Sequence, residues 1–314
     1  MRSRLIYGCM GLGGSWASGE YAAGDIDVAA AAVEAAIDAG ITRFDHADIY
    51  RRGGAEAVFG EVLRRSPGLR ERILLQGKVG IRLSGPGTPG HYDLSAAAIR
   101  DGVAASIERL GVERLDVLLL HRPDPLAEPA EIAEAVTGLQ RDGLIGAVGA
   151  SNMSGAQLAA LQEVLPTTLV ANQLEMSLAR HGFVDSTVLV NHPDSTGVDF
   201  PHGTLEHCRR HGMELQAWGS LAGGRYSGGP ISHDDPTAAG TTAVVARIAA
   251  DQGVSREAVV LGWLMRHPAR ISPVIGTTSP ERIRACAEAV AVAAAMTRAD
   301  WWELYVSARG RPVP

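Results

Sequence analysis

Lysine is almost missing from this chain. Lys and Arg together number 29, and one of them alone, Lys78, is lysine. Where arginine is written nearly everywhere else, a single lysine marks a position at which a guanidinium does not serve. Lysine is a compact ammonium that can sit close against another group and shift its pKa, whereas arginine is a broad, permanently charged fork. The plain alternative is an ordinary surface charge. It fits poorly with the place of Lys78 at the end of the apolar run Ile73-Leu74-Leu75, where a strand leaving a core would present it. Cysteine is scarce too: Cys9, Cys208 and Cys286 form no Cys-x-x-Cys pair. That argues against a disulfide framework and fits a reducing compartment. Basic excess is absent, with a net charge of −6 and no aromatic-basic interleaving, which argues against a nucleic-acid surface. Long apolar runs are absent as well. Ala285 to Met296 is alanine-rich, broken by Glu288 and too short to span a bilayer, and too short an apolar run follows Met1-Arg2-Ser3-Arg4 for a signal peptide. These absences predict a soluble, cytoplasmic protein with no membrane and no nucleic-acid partner.

What is present is a large core and a regular alternation. Hydrophobic residues make up 46% of 314 positions and charged residues 20%, the balance of an ordered globular chain. Strand-like stretches run from Ile6 toward Gly14, Thr42 to Ala47, Ile73 to Lys78, Leu115 to His121, Ala147 to Ser151, Thr168 to Leu174, Glu214 to Trp218 and Ser272 to Ile275. Between them fall helical periodicities: Asp25 to Ala39, Glu56 to Arg65, Ser95 to Leu110, Glu128 to Arg141, Ser154 to Val164, Gly203 to Arg210, Thr242 to Gln252 and Ser255 to Arg266. Pro280 to Ala289 and Ala299 to Ser307 read as terminal helices, Arg180 to Pro201 as a long irregular insertion after the sixth strand, and Leu221 to Gly240 as a long loop. About eight strand-helix units without a linker predict one α/β domain over 1–314, a closed (β/α)8 barrel. An open dinucleotide-binding sheet would want a Gly-x-Gly-x-x-Gly turn after its first strand. Gly11-Leu12-Gly13-Gly14 opens no convincing helix.

The unusual polar residues gather at the strand ends. Asp45 ends the second strand, Lys78 the third, His121 the fourth, and Ser151 with Asn152 the fifth. Gln173 lies in the sixth, Trp218 and Ser220 end the seventh, and Gly276-Thr277 follows the eighth. In a barrel these ends share the face where barrel enzymes keep their chemistry. Singly, each has a plain reading: Asp45 a turn residue, Tyr50 a packed loop tyrosine, His121 a strand terminator, Asn152 and Gln173 partners for loop backbone. Together they make an acid site. An ammonium stabilises a nearby phenolate and lowers its pKa, a carboxylate holds that ammonium in place, and a histidine orients a carbonyl by hydrogen bonding. Such a device protonates a carbonyl oxygen as hydride reaches the carbon.

Seven segments in this order resemble the aldo-keto reductase family, and the match runs from about Gly8 to Arg282. They are Phe44-Asp45-His46-Ala47-Asp48-Ile49-Tyr50, Gly77-Lys78, Leu119 to Asp124, Gly149-Ala150-Ser151-Asn152, Asn172 to Glu175, Gln216 to Leu221 and Ile275 to Arg282. The resemblance implies an NADPH-dependent carbonyl reductase (with NADH possible) on a (β/α)8 barrel that binds its nicotinamide without a Rossmann domain. It implies Tyr50 as general acid, Lys78 and Asp45 tuning it, and His121 orienting the carbonyl of a small-molecule substrate. By the same resemblance Ser151, Asn152 and Gln173 hold the carboxamide and Trp218 stacks on the nicotinamide. Ser220, Leu221, Gly223, Gly276, Thr277 and Arg282 cradle the phosphates and adenosine. No metal is implied.

Departures from the family pattern bear on specificity. Ala285 and Cys286 stand where a Glu and an Asn are frequent, which weakens the adenine side, while Arg282 pairing with a 2′-phosphate favours NADPH. His46 replaces a commoner Thr, resembles a bacterial NADPH-dependent subgroup and bears on the pocket wall. Arg180 to Pro201 resembles that subgroup as well and is expected near the substrate entrance. Trp16, Tyr21 and Tyr92 as pocket walls favour aromatic or aliphatic carbonyls over sugars. His207 and His211 at i, i+4 have zinc-like spacing but no third ligand, and read as a solvated helix face. Trp301-Trp302 reads as packing of the last helix. The alternative function is a regulatory or redox-sensing subunit of the same fold with little turnover. Substrate, direction of reaction and oligomeric state are not legible in the sequence.

Overall fold

The computed structural model describes residues 4–230 and 235–314. Eight parallel strands close into a barrel in sequential order: β1 Ile6–Gly8, β2 Arg43–Asp45, β3 Leu74–Val79, β4 Leu115–Leu120, β5 Ile145–Ser151, β6 Ala171–Glu175, β7 Glu214–Trp218 and β8 Ser272–Ile275. Closure comes from β1 against β8, with Ile6 opposite Val274 and Tyr7 opposite Ile275. The register sets the chemistry. Gly8 lies opposite Asp45, Asp45 opposite Gln76, Lys78 opposite Leu119, and Ser151 opposite Gln173. Residues at the carboxyl ends of neighbouring strands therefore arrive at one face.

Helices α1 Ala23–Asp38, α2 Gly54–Arg65, α3 Ala96–Leu110, α4 Pro129–Arg141 and α5 Gly155–Val164 follow the first five strands, α2 and α3 being separated by β3. Their starts are written in the sequence. Ser95 accepts a hydrogen bond from the backbone N–H of Ala98 at 3.3 Å, and Ser154 with Gln157 forms a reciprocal capping box. The insertion after β6 is more ordered than its composition predicts. It holds α6 Gly182–Val188 and a 3₁₀ turn at Pro193–Gly197, then α7 Thr204–Arg210 leads into β7. After β7 come α8 Pro236–Gln252 and α9 Arg256–Arg266, and after β8 come α10 Pro280–Ala287, α11 Ala289–Ala295 and α12 Arg298–Arg309.

Two boundaries differ from the sequence expectation. Helix α8 starts at Pro236 rather than near Thr242, because Asp235 caps the N–H of Ala238 at 2.8 Å and proline suits the first helical position. That helical start outweighs Gly240 within. The expected loop Leu221 to Gly240 is thus shorter, and its residues 231–234 lie outside the described residues, as do Met1, Arg2 and Ser3. The single helix expected over Pro280 to Ala289 breaks at Glu288 into α10 and α11. A small hairpin, Ile81–Arg82 against His91–Tyr92, spans the loop after β3.

The helical shell is held by large apolar side chains. Trp263 of α9 is fully buried and stacks on Trp301 of α12 with ring centroids 5.3 Å apart. Each indole N–H donates to the other residue's carbonyl, at 3.1 and 3.0 Å, so neither buried N–H is left unpaired. Trp301 therefore packs the last helix, while Trp302 meets it edge-on at 5.2 Å. No described helix is long and apolar enough to cross a membrane.

Candidate active site

At the carboxyl end of the barrel a cavity of about 720 Å³ opens. Below its floor lies a buried ion pair. Lys78 Nζ is 2.6 Å from Asp45 Oδ2, with side chains 1% and 2% exposed. Taking two charges out of water is unfavourable unless geometry and further hydrogen bonds compensate. Here they do: the other oxygen of Asp45 accepts from Gln76 Nε2 at 2.6 Å and Gln173 Nε2 at 3.1 Å. Burial alone would lower the Lys78 pKa, but Asp45 first and Tyr50 second outweigh it, and the ammonium is held above its usual range.

Tyr50 is brought over this pair by a strained turn. It begins the 3₁₀ segment Tyr50–Gly53, in which Arg51 and Arg52 have φ of 51° and 54°. Left-handed backbone disfavours L residues by roughly 1–2 kcal/mol each, so neighbouring contacts must hold the turn. Arg51 donates to the carbonyl of Met10, Arg52 to that of Trp16, and the N–H of Asp48 donates to the carbonyl of Lys78 at 3.0 Å. Gly53, at φ 91°, is required: a Cβ there would lie 2.8 Å from Arg109 Cδ. Lys78 Nζ sits 5.0 Å from the centroid of the Tyr50 ring. Burial raises the Tyr50 pKa, Lys78 pulls it down and Asp45 pushes it up, and the net result is a phenol above its ordinary value. The net lowering expected from the sequence is therefore corrected: desolvation wins over the ammonium.

His121 stands across the cavity, its ring edge-on to Tyr50 at 6.2 Å between centroids. Burial first, then the charges of Lys78 and Arg122, push its pKa down to about 2. It is neutral at any ordinary pH. Asn152, at φ 58°, uses the tolerance of its residue type for left-handed backbone. It donates to the carbonyl of His121 at 3.1 Å and to Ser151 Oγ at 2.8 Å, while its oxygen accepts from Trp218 Nε1 at 3.0 Å. Ser151 in turn donates to the Gln173 carbonyl at 2.8 Å.

Of the catalytic and cofactor-binding residues expected from sequence, all but Lys78 line this one cavity: Tyr50, Asp45, His121, Ser151, Asn152, Gln173, Trp218, Ser220, Leu221, Gly223, Gly276, Thr277 and Arg282. Lys78 lies beneath it, against Asp45 and Tyr50. Arg282 is not a free cation, since its Nε is 3.1 Å from Glu257 Oε1 and its Nη2 3.4 Å from Ser227 Oγ.

Other expectations do not survive. His46 is absent from the wall; it packs edge-on against Phe59 of α2 at 4.6 Å, fully buried, with burial pushing its pKa down to about 3. The insertion contributes no wall residue either. Phe183 packs on Trp263 at 5.5 Å, and Asp185 accepts from Tyr305 of α12 at 2.5 Å. Of the three aromatics expected in the pocket, Trp16 lines it, whereas Tyr21 and Tyr92 do not.

Sequence reasoning missed Gln76 and Gln216, whose signal was a polar residue at the centre of a buried strand. It also missed Arg122, which lines the cavity with its guanidinium 6.0 Å from the Trp218 ring centroid and makes no hydrogen bond or ion pair among the described residues. A charged residue directly after a strand-end histidine was the available clue.

Comparison with known proteins agrees with this architecture. The model of the aldo/keto reductase family matches residues 4–301. A 6-dehydroglucose reductase of Agrobacterium fabrum is 38% identical over 320 residues, covering 99% of this chain and 96% of that protein. A protein of the same name from Novosphingobium aromaticivorans is 38% identical over 91% of this chain and 87% of its own length. The oxidoreductase YdhF of Escherichia coli is 35% identical over 90% and 88%. Among solved structures, a glycerol dehydrogenase from Gluconobacter oxydans superposes with a TM-score of 0.78 over 100% of this chain and 94% of its own, at 21% identity, a likeness of fold.

Proposed function

Because the chain belongs to the aldo/keto reductase family, we propose that it reduces an aldehyde or ketone to the alcohol with NADPH, and with NADH as the weaker cofactor. The observation that carries this reading is the Tyr50 phenol above a buried Lys78–Asp45 pair, with a neutral His121 across the same cavity. The cavity suits a nicotinamide dinucleotide. Trp218 offers an indole pinned by Asn152, and Ser220 to Gly224 form a bent wall in which even Ala222 takes a left-handed φ of 48°. The first turn of α10 brings Arg282 and a helix N-terminus, both favourable to anionic groups. The pairing of Arg282 with Glu257 reduces its free charge, so discrimination between NADPH and NADH is expected to be moderate.

When bound, the reduced nicotinamide supplies a hydride to the carbonyl carbon. The chain's own groups manage the oxygen. His121, neutral, donates one N–H to it and orients the carbonyl without competing as the acid. As negative charge gathers on the oxygen, Tyr50 gives up its proton, and the phenolate left behind is stabilised by the Lys78 ammonium. Asp45 keeps that ammonium charged and in place. A positioned general acid contributes on the order of 10²–10⁴ in rate.

The substrate side favours an oxygen-rich aldehyde. Arg122 is a guanidinium beside His121 with no hydrogen-bond or ion-pair partner among the described residues, its one contact being the Trp218 ring, and two relatives are named 6-dehydroglucose reductases. This reverses the preference for apolar carbonyls that the aromatic residues suggest in sequence. The test is steady NADPH and NADH consumption with D-glyceraldehyde and with 4-nitrobenzaldehyde. Tight cofactor binding without turnover across a broad carbonyl panel would refute the enzyme and leave a regulatory subunit. Arg122→Met is expected to raise KM for the hydroxylated aldehyde about tenfold, the loss of one charged hydrogen bond. KM for 4-nitrobenzaldehyde should stay nearly constant. An equal effect on both would remove Arg122 from substrate recognition.

A further inference from the structure

The interior of a parallel barrel is ordinarily filled by branched aliphatic side chains. Here three glutamines occupy it instead: Gln76 on β3, Gln173 on β6 and Gln216 on β7, none more than 1% exposed. Their hydrogen bonds form one chain between two carboxylates. Glu214 Oε2 accepts from Gln216 Nε2 at 3.0 Å, and Glu214 is held in turn by Arg43 and by Ser272 Oγ at 2.6 Å. Gln216 Oε1 accepts from Gln76 Nε2 at 2.8 Å and Gln173 Nε2 at 2.9 Å. Those same two nitrogens donate to Asp45 Oδ1, and Gln216 Nε2 also donates to Gln76 Oε1 at 2.9 Å.

An ionised carboxylate only accepts, and a primary amide carries two N–H donors and one oxygen. With an acceptor at each end, the amide orientations are determined. Gln216 must turn its nitrogen toward Glu214, which leaves its oxygen facing the other two. Gln76 and Gln173 must then turn their nitrogens inward, where Asp45 also accepts them. Flipping any one amide would set oxygen against oxygen inside a buried network, the situation in which an unmade hydrogen bond is most unfavourable. The consequence falls on Gln173. Both its N–H groups are used, and its Oε1 is left without a partner among the described residues on a side chain that lines the cavity. The neighbouring Asn152 oxygen is already taken by Trp218.

We propose that Gln76 and Gln216 are positioning residues: anchored on Glu214, they lock the Gln173 amide so that its oxygen is presented to the cavity as the acceptor for a carboxamide N–H of the nicotinamide. The proposal rests on the cofactor reading above. Its signature is a preference that a packing role would not produce. In 3-acetylpyridine adenine dinucleotide phosphate, a methyl ketone replaces the carboxamide and carries no N–H.

Binding of NADP⁺, of that analogue and of 2′,5′-ADP is measured calorimetrically on the full chain. The wild type is expected to bind NADP⁺ about tenfold tighter than the analogue, one hydrogen bond's discrimination. Gln216→Met, which keeps volume, should reduce that ratio to about two while leaving the affinity for 2′,5′-ADP unchanged. Gln76→Met removes the other amide that holds Gln216 and should lower the ratio in the same direction, again with 2′,5′-ADP unaffected. It decides the matter if Gln216→Met does not fold. No discrimination in the wild type, full discrimination in either variant, or equal weakening of 2′,5′-ADP each overturns the proposal. A wild type that binds neither NADP⁺ nor 2′,5′-ADP overturns the cofactor reading itself, and the proposal with it.

Discussion

Two buried polar regions lie back to back around Tyr50, and they are built differently. Inside the barrel, both oxygens of Asp45 are engaged, by Lys78 and by two glutamine amides, and the amides engage one another. Between the barrel wall and α2 and α3, partners run short. Both ring nitrogens of His46, one oxygen of Asp48 and one of Glu56 have no protein partner among the described residues. Asp48 comes three residues after Asp45, yet it faces α3, where a Cβ on Gly102 would lie 3.4 Å from its Oδ2. Burial first, then Glu56, push its pKa up to about 7. Glu56 is raised by burial as well, against the pull of Arg109, 2.7 Å away. One motif thus contains a carboxylate fully engaged by donors and another poised to take a proton. Residue type does not distinguish them; the number of donors within reach does.

The comparison predicts that changes inside the barrel show in turnover and changes outside it in pH-dependent stability. The largest effect is expected from Tyr50→Phe, which should lower kcat by about 10³-fold or more, within reach of a lost general acid, while cofactor affinity stays nearly intact. If cofactor binding is lost instead, Tyr50 is not the acid. Lys78→Arg should fold and bind cofactor yet lose about 10²-fold in kcat, because a planar fork cannot take the place of a point charge beside both Asp45 and the phenol. Near wild-type turnover would mean that the pair does not tune Tyr50.

Asp48→Asn tests the outer region. Asp48 holds its proton more tightly folded, at about 7, than unfolded, at 3.8. The stability it supports is therefore complete below about pH 4 and lost as the pH rises through about 7. The variant should unfold in urea with up to about 4 kcal/mol more stability than wild type at pH 8.5 and little difference at pH 4, with turnover little changed. His46→Leu should act in the opposite direction and more weakly at moderate pH. His46 is neutral in the fold because its pKa falls to about 3, so its contribution is present above about pH 6.5 and is lost as the pH falls toward 3. At pH 5 the variant should escape about 2 kcal/mol of acid destabilisation. Parallel pH profiles for wild type and both variants would erase the distinction between the two regions.

Much of the site was legible in the sequence because parallel strands deliver their carboxyl ends to one face. Asp45, His121, Ser151 and Trp218 needed only a correct strand end to be placed together. What escaped were pairings across the barrel. Gln76 and Gln216 are 140 residues apart, and nothing in either strand's pattern says that their amides interlock. The insertion was misplaced for the same reason: its aromatic and acidic residues find partners on α9 and α12 at the far end of the chain.

By itself, then, the sequence determined the alternation of strands and helices, most of their starts and stops, and the identity of the residues at the strand ends, since local periodicity, caps and turn residues act over a few positions. The tertiary structure alone decided the charge states. Whether Tyr50 is acidic, His121 neutral or Asp48 protonated depends on desolvation and on donors brought from distant strands, energies that exist only once the barrel closes.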